Sequence, residues 1–403
     1  MNQKLNKQIL ALAIPNILTN LSVPLLSSVD TAVVGHLDEV YYLGAIAIGS
    51  MIFNFIYWAF GFLRMGTTGL TSQAFGRDDS KEVALNLFRP LFLALIFATI
   101  LVMLQYFIAE VAFSLVSASS EVEHYASEYF YIRIFAAPAT LLIYVFHGWF
   151  LGLQNAKYPL ILLVSVNIVN LILNVIFIFY FGMKSEGVAY GTVVAQYLGL
   201  TIAIYFLFRN YKHYLFYFTF KEILNISELK KFYQVNGNIF IRTLALLFVL
   251  TYFTAESAKF GDNILAANTI LMQMWIIISY AVDGFAFAAE SIVGKYVGAR
   301  AVKELKLVIK YLFAWGISIG VVFTILYATA GEIIIRIFTN NQVVIDLALL
   351  FLGWTIVSQI VNSVSFIWDG IYIGATQTTA MRNSMLISAL FVFLPTYLIT
   401  SNY

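Results

Sequence analysis

Few residues in this chain can do chemistry, and most of those sit in apolar surroundings. Asp30 closes the run Pro24-Leu25-Leu26-Ser27-Ser28-Val29-Asp30. A carboxylate held among apolar residues loses hydration, which suits it to take up and release protons. Pro24 removes one backbone hydrogen bond just ahead of it, and Pro15 adds a second weak point, so the same helix can bend there. The simpler reading of Asp30 is a solvated acid at a helix mouth. Glu256 takes the matching place in the second half of the chain. Asp30 is followed five residues on by Gly35, and Glu256 by Gly261. Lys259 and Asp262 follow Glu256 closely, which also fits a solvated end.

Asn167, Asn170 and Asn174 are spaced by three and four, which places them on one face of a helix. Amides on a helix in lipid turn toward protein or water, so Asn170 and Asn174 can meet Asp30 and hold its protonated form or ligate a cation. They serve equally as contacts between helices. Arg242, Asp283 and Asp369 share one depth, where an arginine flanked by two acids would form a buried ion-pair network, structural or gating. Glu290 is expected at a solvated boundary, and Arg133 at a helix start from which it can snorkel.

Several chemistries are excluded. The chain has no cysteine, which removes disulfides and thiolate metal sites. No phosphate-binding loop, zinc-protease or serine-hydrolase motif occurs. His36, His124, His147 and His213 are scattered, and only His147 lies in a helix interior. We therefore expect no enzyme, no cofactor and no metal beyond a coupling ion. A net charge of +2 gives no field for nucleic acid.

The elements that must position these residues are transmembrane helices. Hydrophobic residues make up 61% of the chain and charged residues 11%, against about 25% charged in soluble domains. Eleven apolar runs reach the roughly 20 residues that a span needs: 8–34, 43–66, 89–109, 127–151, 159–181, 187–208, 236–258, 264–289, 307–329, 343–367 and 383–400. The first is too long for a cleaved signal peptide. Basic residues set the orientation. With the N-terminus in the cytoplasm, Arg77, Lys81, Lys157, Arg209, Lys295, Arg300 and Lys303 fall inside, while Asp38, Glu110, Glu186 and Glu332 fall outside. Part of the 17% aromatic content can line a cavity for flat organic cations.

The second half echoes the first at an offset of 222. Leu43 matches Leu265, Gly76 matches Gly298, Lys81-Glu82 matches Lys303-Glu304, Gly148 matches Gly370, and Gly152 matches Gly374. The fold expected is an all-α polytopic transmembrane helical bundle of two pseudo-symmetric lobes of six helices, with the twelfth helix missing from eleven spans. The lobes are 1–208 and 236–403, joined by a cytoplasmic linker at 209–235. Repeats of this kind are typical of secondary transporters, whose sites lie between the halves.

In sequence the chain resembles the multidrug and toxic compound extrusion (MATE) transporters, in particular their DinF-like branch. The residues carrying the resemblance are Pro15 to Asp30-Thr31, Gly69-Leu70-Thr71-Ser72-Gln73-Ala74-Phe75-Gly76, and Asn170 with Asn174. Further along they are Leu265-Ala266-Ala267-Asn268, Asp283-Gly284-Phe285-Ala286, Val293-Gly294, Asp369-Gly370 and Arg382-Asn383-Ser384-Met385. The resemblance implies export of cationic or amphipathic organic compounds by alternating access, exchanged for H⁺ or Na⁺. Asp30 matches the family's helix 1 acid, and Asn170 and Asn174 its helix 5 partners. The family usually has Asp at the place of Asn174, which leaves Asp30 as the main proton carrier and favours H⁺ over Na⁺ bound at Asp30, Asn170 and Asn174. A monomer in the bacterial inner membrane is expected, in contact with membrane lipid. Two rival readings are a flippase for lipid-linked oligosaccharides, from the same wider superfamily, and a membrane scaffold that transports nothing.

Overall fold

The computed structural model describes residues 3–35, 39–116 and 118–400; the side chains of 23–34, 40 and 400 lie outside the described residues. Among the described residues the chain is helical, without strands. Helix α1 spans Gln3–Val34. Ten further helices are long and apolar enough to cross a membrane: α2 Tyr41–Gly76, α3 Ser80–Met103, α4 Ser120–Gly152, α5 Lys157–Tyr180, α6 Ser185–Asn210, α7 Ile226–Lys259, α8 Asp262–Gly298, α9 Val302–Phe338, α10 Gln342–Gly374 and α11 Thr378–Ile399. Each expected span overlaps one of these eleven helices; 89–109 runs past the end of α3 at Met103 into a separate short helix, Gln105–Ser114. Many helices overrun their apolar segments. At 37 residues, α8 is about 55 Å long against a hydrocarbon core of about 30 Å. Its last turns therefore run past the membrane core and pack against other protein.

The offset of 222 reappears in the backbone. Asp78 and Arg300 both take a left-handed conformation, with φ of 58° and 54°. Gln154 and Thr376 do the same, at 63° and 53°. Each pair follows a helix that ends in a matched glycine. Gly76 and Gly298 show why that residue is needed. A Cβ on Gly76 would stand 2.0 Å from the carbonyl oxygen of Lys295, and one on Gly298 would stand 2.1 Å from that of Gln73. Gln73 and Lys295 are themselves a pair at the same offset. The ends of α2 and α8 thus cross reciprocally, backbone to backbone, about a pseudo-twofold axis.

Cross-half hydrogen bonds gather at this crossing. Gln73 Nε2 donates to Gly374 O at 2.9 Å and to Thr376 Oγ1 at 3.1 Å. Gln154 Nε2 donates to Ser291 Oγ at 2.6 Å, and Ser291 Oγ donates to Leu151 O at 2.5 Å. This end of the bundle carries Arg77, Lys157, Lys295, Arg300 and Lys303, and we refer to it as the basic end. Helices α1 and α7 each lean on the opposite half. Leu5, Ile9, Leu12 and Ala13 of α1 share an apolar cluster with Ile278, Val282, Phe285 and Ile292 of α8. In the same way, Val235 and Ile239 of α7 pack with Phe62 and Met65 of α2. Away from the basic end, the last cross-half hydrogen bond among the described residues runs from Asn20 Nδ2 to Tyr280 O, at 3.3 Å. Beyond it no cross-half hydrogen bond occurs among the described residues. Tyr41, Tyr42 and Tyr125 cluster in the first half, and Tyr252 meets Phe393 and Tyr397 in the second. Among the described residues, the cross-half hydrogen bonds thus gather at the basic end.

The segment between the halves is strapped to α3. Lys81 Nζ lies 2.9 Å from Glu222 Oε1, and Arg89 Nε donates to Glu222 O at 3.3 Å. The hydrogen bond from Lys81 holds the Glu222 carboxyl below its ordinary range.

Candidate functional site

Three groups of polar residues lie inside the bundle. The first is the amide ladder of α5. Asn170 and Asn174 exchange hydrogen bonds at 3.4 and 3.3 Å. Asn170 Nδ2 also donates to Thr192 Oγ1 on α6, at 3.2 Å. Asn174 is fully buried beneath Gly191, where a Cβ would stand 2.3 Å from its Oδ1. Asn167 Nδ2 reaches Ser22 Oγ on α1 at 3.4 Å. The ladder thus ties α5 to α6 and to α1. The Asp30 and Pro24 side chains lie outside the described residues. The backbone of α1 stays helical through Pro15. There Thr19 Oγ1 donates to Pro15 O, and Asn16 Nδ2 to Leu12 O, both at 2.8 Å.

The second group lies at the basic-end seal. Arg64 on α2 makes a two-pronged ion pair with Glu290 on α8: Nη1 to Oε2 at 2.9 Å and Nη2 to Oε1 at 3.2 Å. The guanidinium also sits 3.9 Å above the Phe287 ring, a cation–π contact. Glu290 is 2% exposed, which corrects the expectation of a solvated boundary residue. The cause is the length of α8, which carries Glu290 past the end of the apolar run and into the packing of the other half. Sequence reasoning passed over Arg64 altogether, because it falls inside a span near the basic end. One signal was available: Gly148, a repeat glycine, packs on Arg64 with a Cβ-to-carbonyl distance of 2.3 Å. Arg242 forms its ion pair with Asp369, as its depth suggested. Asp283 lies within electrostatic reach of Arg242 and Arg64 without a hydrogen bond to either among the described residues.

The third group lies toward the opposite end. Glu256 is not an open carboxylate. Lys259 Nζ approaches it at 2.6 Å, and Tyr397 Oη donates to it at 2.7 Å. Arg133 does not snorkel outward. Its Nη1 donates to Ser50 Oγ at 3.0 Å and to Tyr129 Oη. Helix α4 starts at Ser120, about two turns earlier than the apolar run, so Arg133 sits deeper than expected. In the second half a cavity of ≈ 510 Å³ is lined by Phe253, Asn268, Trp275, Trp354, Thr355 and Ser358, among others.

The site thus sits in a duplicated helical bundle with a crossed seal and buried charges between its halves. The MatE family model matches the chain twice, at residues 15–176 and 239–398, once in each half. The chain belongs to the MatE family. It is 36% identical to DNA damage-inducible protein F of Escherichia coli K12, over 95% of this chain and 84% of that protein. It is 25% identical to the probable multidrug resistance protein NorM of Photorhabdus laumondii, over 96% of this chain and 86% of that protein. In fold it matches the Vibrio cholerae MATE transporter VcmN in the bent form, with a TM-score of 0.90 and 18% identity, over 99% of this chain and 90% of that one. A MATE transporter solved in an outward-facing conformation matches with a TM-score of 0.84 and 20% identity, over 96% and 86%. This MatE chain is thus a multi-pass membrane protein of a transporter family, and its relatives are not enzymes.

Proposed function

We propose that this MatE protein is a secondary antiporter that exports cationic or amphipathic organic compounds in exchange for H⁺. The observation that carries the reading is the asymmetry of the seal. Among the described residues, cross-half hydrogen bonds close the basic end. With the basic end in the cytoplasm of a bacterial inner membrane, a seal there fits the half of an alternating-access cycle in which the site faces away from the cytoplasm. Cargo has a place to sit. A cavity of ≈ 510 Å³ falls within the range of small-molecule sites, about 300–1,000 Å³. Its Phe and Trp rings suit a flat cation.

Asp30 is the proton carrier in this reading. The α5 amides Asn170 and Asn174 support it, and Pro15 and Pro24 give α1 the freedom to bend as Asp30 titrates. Glu256 is tied to Lys259 and plays the smaller part. A lipid-linked oligosaccharide would need free cations for its phosphates, and both Arg64 and Arg242 are occupied by carboxylates. The test is efflux of a fluorescent organic cation from proteoliposomes under an imposed pH gradient, an imposed Na⁺ gradient, or none. Flux driven by pH and lost in Asp30→Asn supports the proposal. Flux that needs Na⁺, or that survives in Asp30→Asn, overturns the coupling, and no flux under any gradient overturns the export reading.

A further inference from the structure

Five charged side chains from four helices meet near the basic-end seal, and their charges do not balance. Arg64–Glu290 is the ion pair that joins α2 to α8, and Arg242–Asp369 joins α7 to α10. Asp283 stands two turns from Glu290 on the same face of α8. It feels Arg64, Arg242 and Glu290 electrostatically, and no described residue hydrogen-bonds to it. Arg242 keeps a buried donor, Nε, without a partner. The other groups facing the cluster carry no fixed charge. They are Tyr280 on α8, Asn20 on α1, whose amide bonds to the Tyr280 carbonyl, and, on α4 beside Arg64, Tyr144 and His147, the latter with its Nε2 buried and unpartnered. On α9, Trp315 stacks on Phe285 of α8.

Two guanidiniums against three carboxylates leave one negative charge where water is scarce. An uncompensated buried charge is costly, and a proton relieves it. Opening the basic end deepens the imbalance. Arg64 departs with the first half, and three carboxylates then face Arg242 alone. We propose that this cluster is a proton-operated latch between the halves. Asp283 takes up a proton, the Arg64–Glu290 bond gives way, and the basic end opens. Asp283 suits the task because no described residue holds it by a hydrogen bond, whereas Glu290 is bound in two places by Arg64. The sign follows from linkage: the open state binds more protons than the sealed state, so acid favours opening. Release of the proton on the basic side lets the Arg64–Glu290 bond re-form.

The inference rests on the transporter reading, but its test reads conformation and not transport. The chain has no cysteine, so Arg77→Cys and Ala299→Cys, exposed mates on the two sides of the seal, accept spin labels selectively. Distances between them are measured in lipid nanodiscs from about pH 8 to about pH 5. We expect the long-distance population to grow as pH falls, by up to about tenfold in the open-to-sealed ratio per pH unit for one linked proton. Asp283→Asn holds the ratio at one value, Asp283→Glu titrates with a shifted midpoint, and Glu290→Gln favours the open form at every pH. Asp30→Asn leaves the response in place. The latch is overturned if the parent shows no titration, if Asp283→Asn titrates like the parent, or if only Asp30→Asn loses the response. Should Asp283→Asn not fold, an unshifted midpoint in Asp283→Glu overturns it as well. Absent drug efflux with an intact titration would sink the proposed function and leave the latch standing.

Discussion

Removing either member of the Arg64–Glu290 pair strands a charge in a space that excludes water. Glu290 is 2% exposed and Arg64 8%, and the two bonds measure 2.9 and 3.2 Å. Two unit charges about 3 Å apart attract by roughly 5 kcal/mol at an effective dielectric of about 20. Breaking a buried pair by deleting one partner typically costs about 3–5 kcal/mol, whereas replacing both partners with apolar residues of similar volume is often near neutral. The two single variants should differ. In Arg64→Met the stranded carboxyl can accept a proton, which caps the loss. In Glu290→Leu the stranded guanidinium cannot shed its proton, and the Phe287 ring, 3.9 Å away, compensates only in part. We therefore expect Glu290→Leu to lose about 4–5 kcal/mol, Arg64→Met about 3, and the double variant less than either. Unfolding in mixed micelles of rising SDS content gives the four free energies. A coupling energy of about 2 kcal/mol or more is expected for groups in direct contact. A coupling below about 0.5 kcal/mol would show the pair to be hydrated and weakly bound, and the reasoning about the seal would fail with it.

Two further outcomes follow from the same geometry. Gly76→Leu places a side chain where even a Cβ would lie 2.0 Å from the Lys295 carbonyl, so the halves cannot close. Thiol labelling of Ser72→Cys, at a position that is fully buried here, should then rise at least tenfold, in line with overpacking costs of about 1–3 kcal/mol; unchanged labelling would mean that the crossing tolerates bulk. Trp275→Ala removes one ring from the second-half cavity and should weaken binding of a fluorescent aromatic cation roughly tenfold, from a cation–π and packing loss of about 1–2 kcal/mol. An unchanged affinity by fluorescence titration would place the cargo elsewhere.

Much of the fold was legible in the sequence, for a definite reason. Spanning helices must satisfy their backbone internally and present apolar side chains to lipid, so their cores appear as long apolar runs. The duplication was legible because close backbone crossings demand glycine, and Gly76, Gly148 and Gly152 return at one offset. The seal was harder to read. Hydropathy marks where lipid stops, not where the helix stops. Glu290, just past an apolar run, looked solvated, yet it lies within an α8 that continues to Gly298. Arg64 carries no local sign of its partner, which stands 226 positions away on another helix. The second-half pairing of Arg242 with Asp369 was recoverable, because depth alone brings the two together once the spans are placed.

The repeat also clarifies what the charges are for. Backbone symmetry at the seal is close: matched left-handed turns, matched glycines and matched carbonyl contacts. The chemistry at the matched positions is unlike. Arg64 corresponds to Ala286, Glu290 to Thr68, Asp283 to Gly61, and Asp369 to His147. A seal built only for stability would gain little from such a difference, since small and apolar residues close a symmetric crossing without the desolvation cost of buried ions. The duplicated scaffold by itself supplies two ways of tilting the halves, with no reason for one to depend on the medium. Charges set on one side of the pseudo-twofold axis make the sealed and open forms differ in the protons they hold. An ion gradient can act only on a difference of that kind, because a ligand that binds two states equally shifts neither.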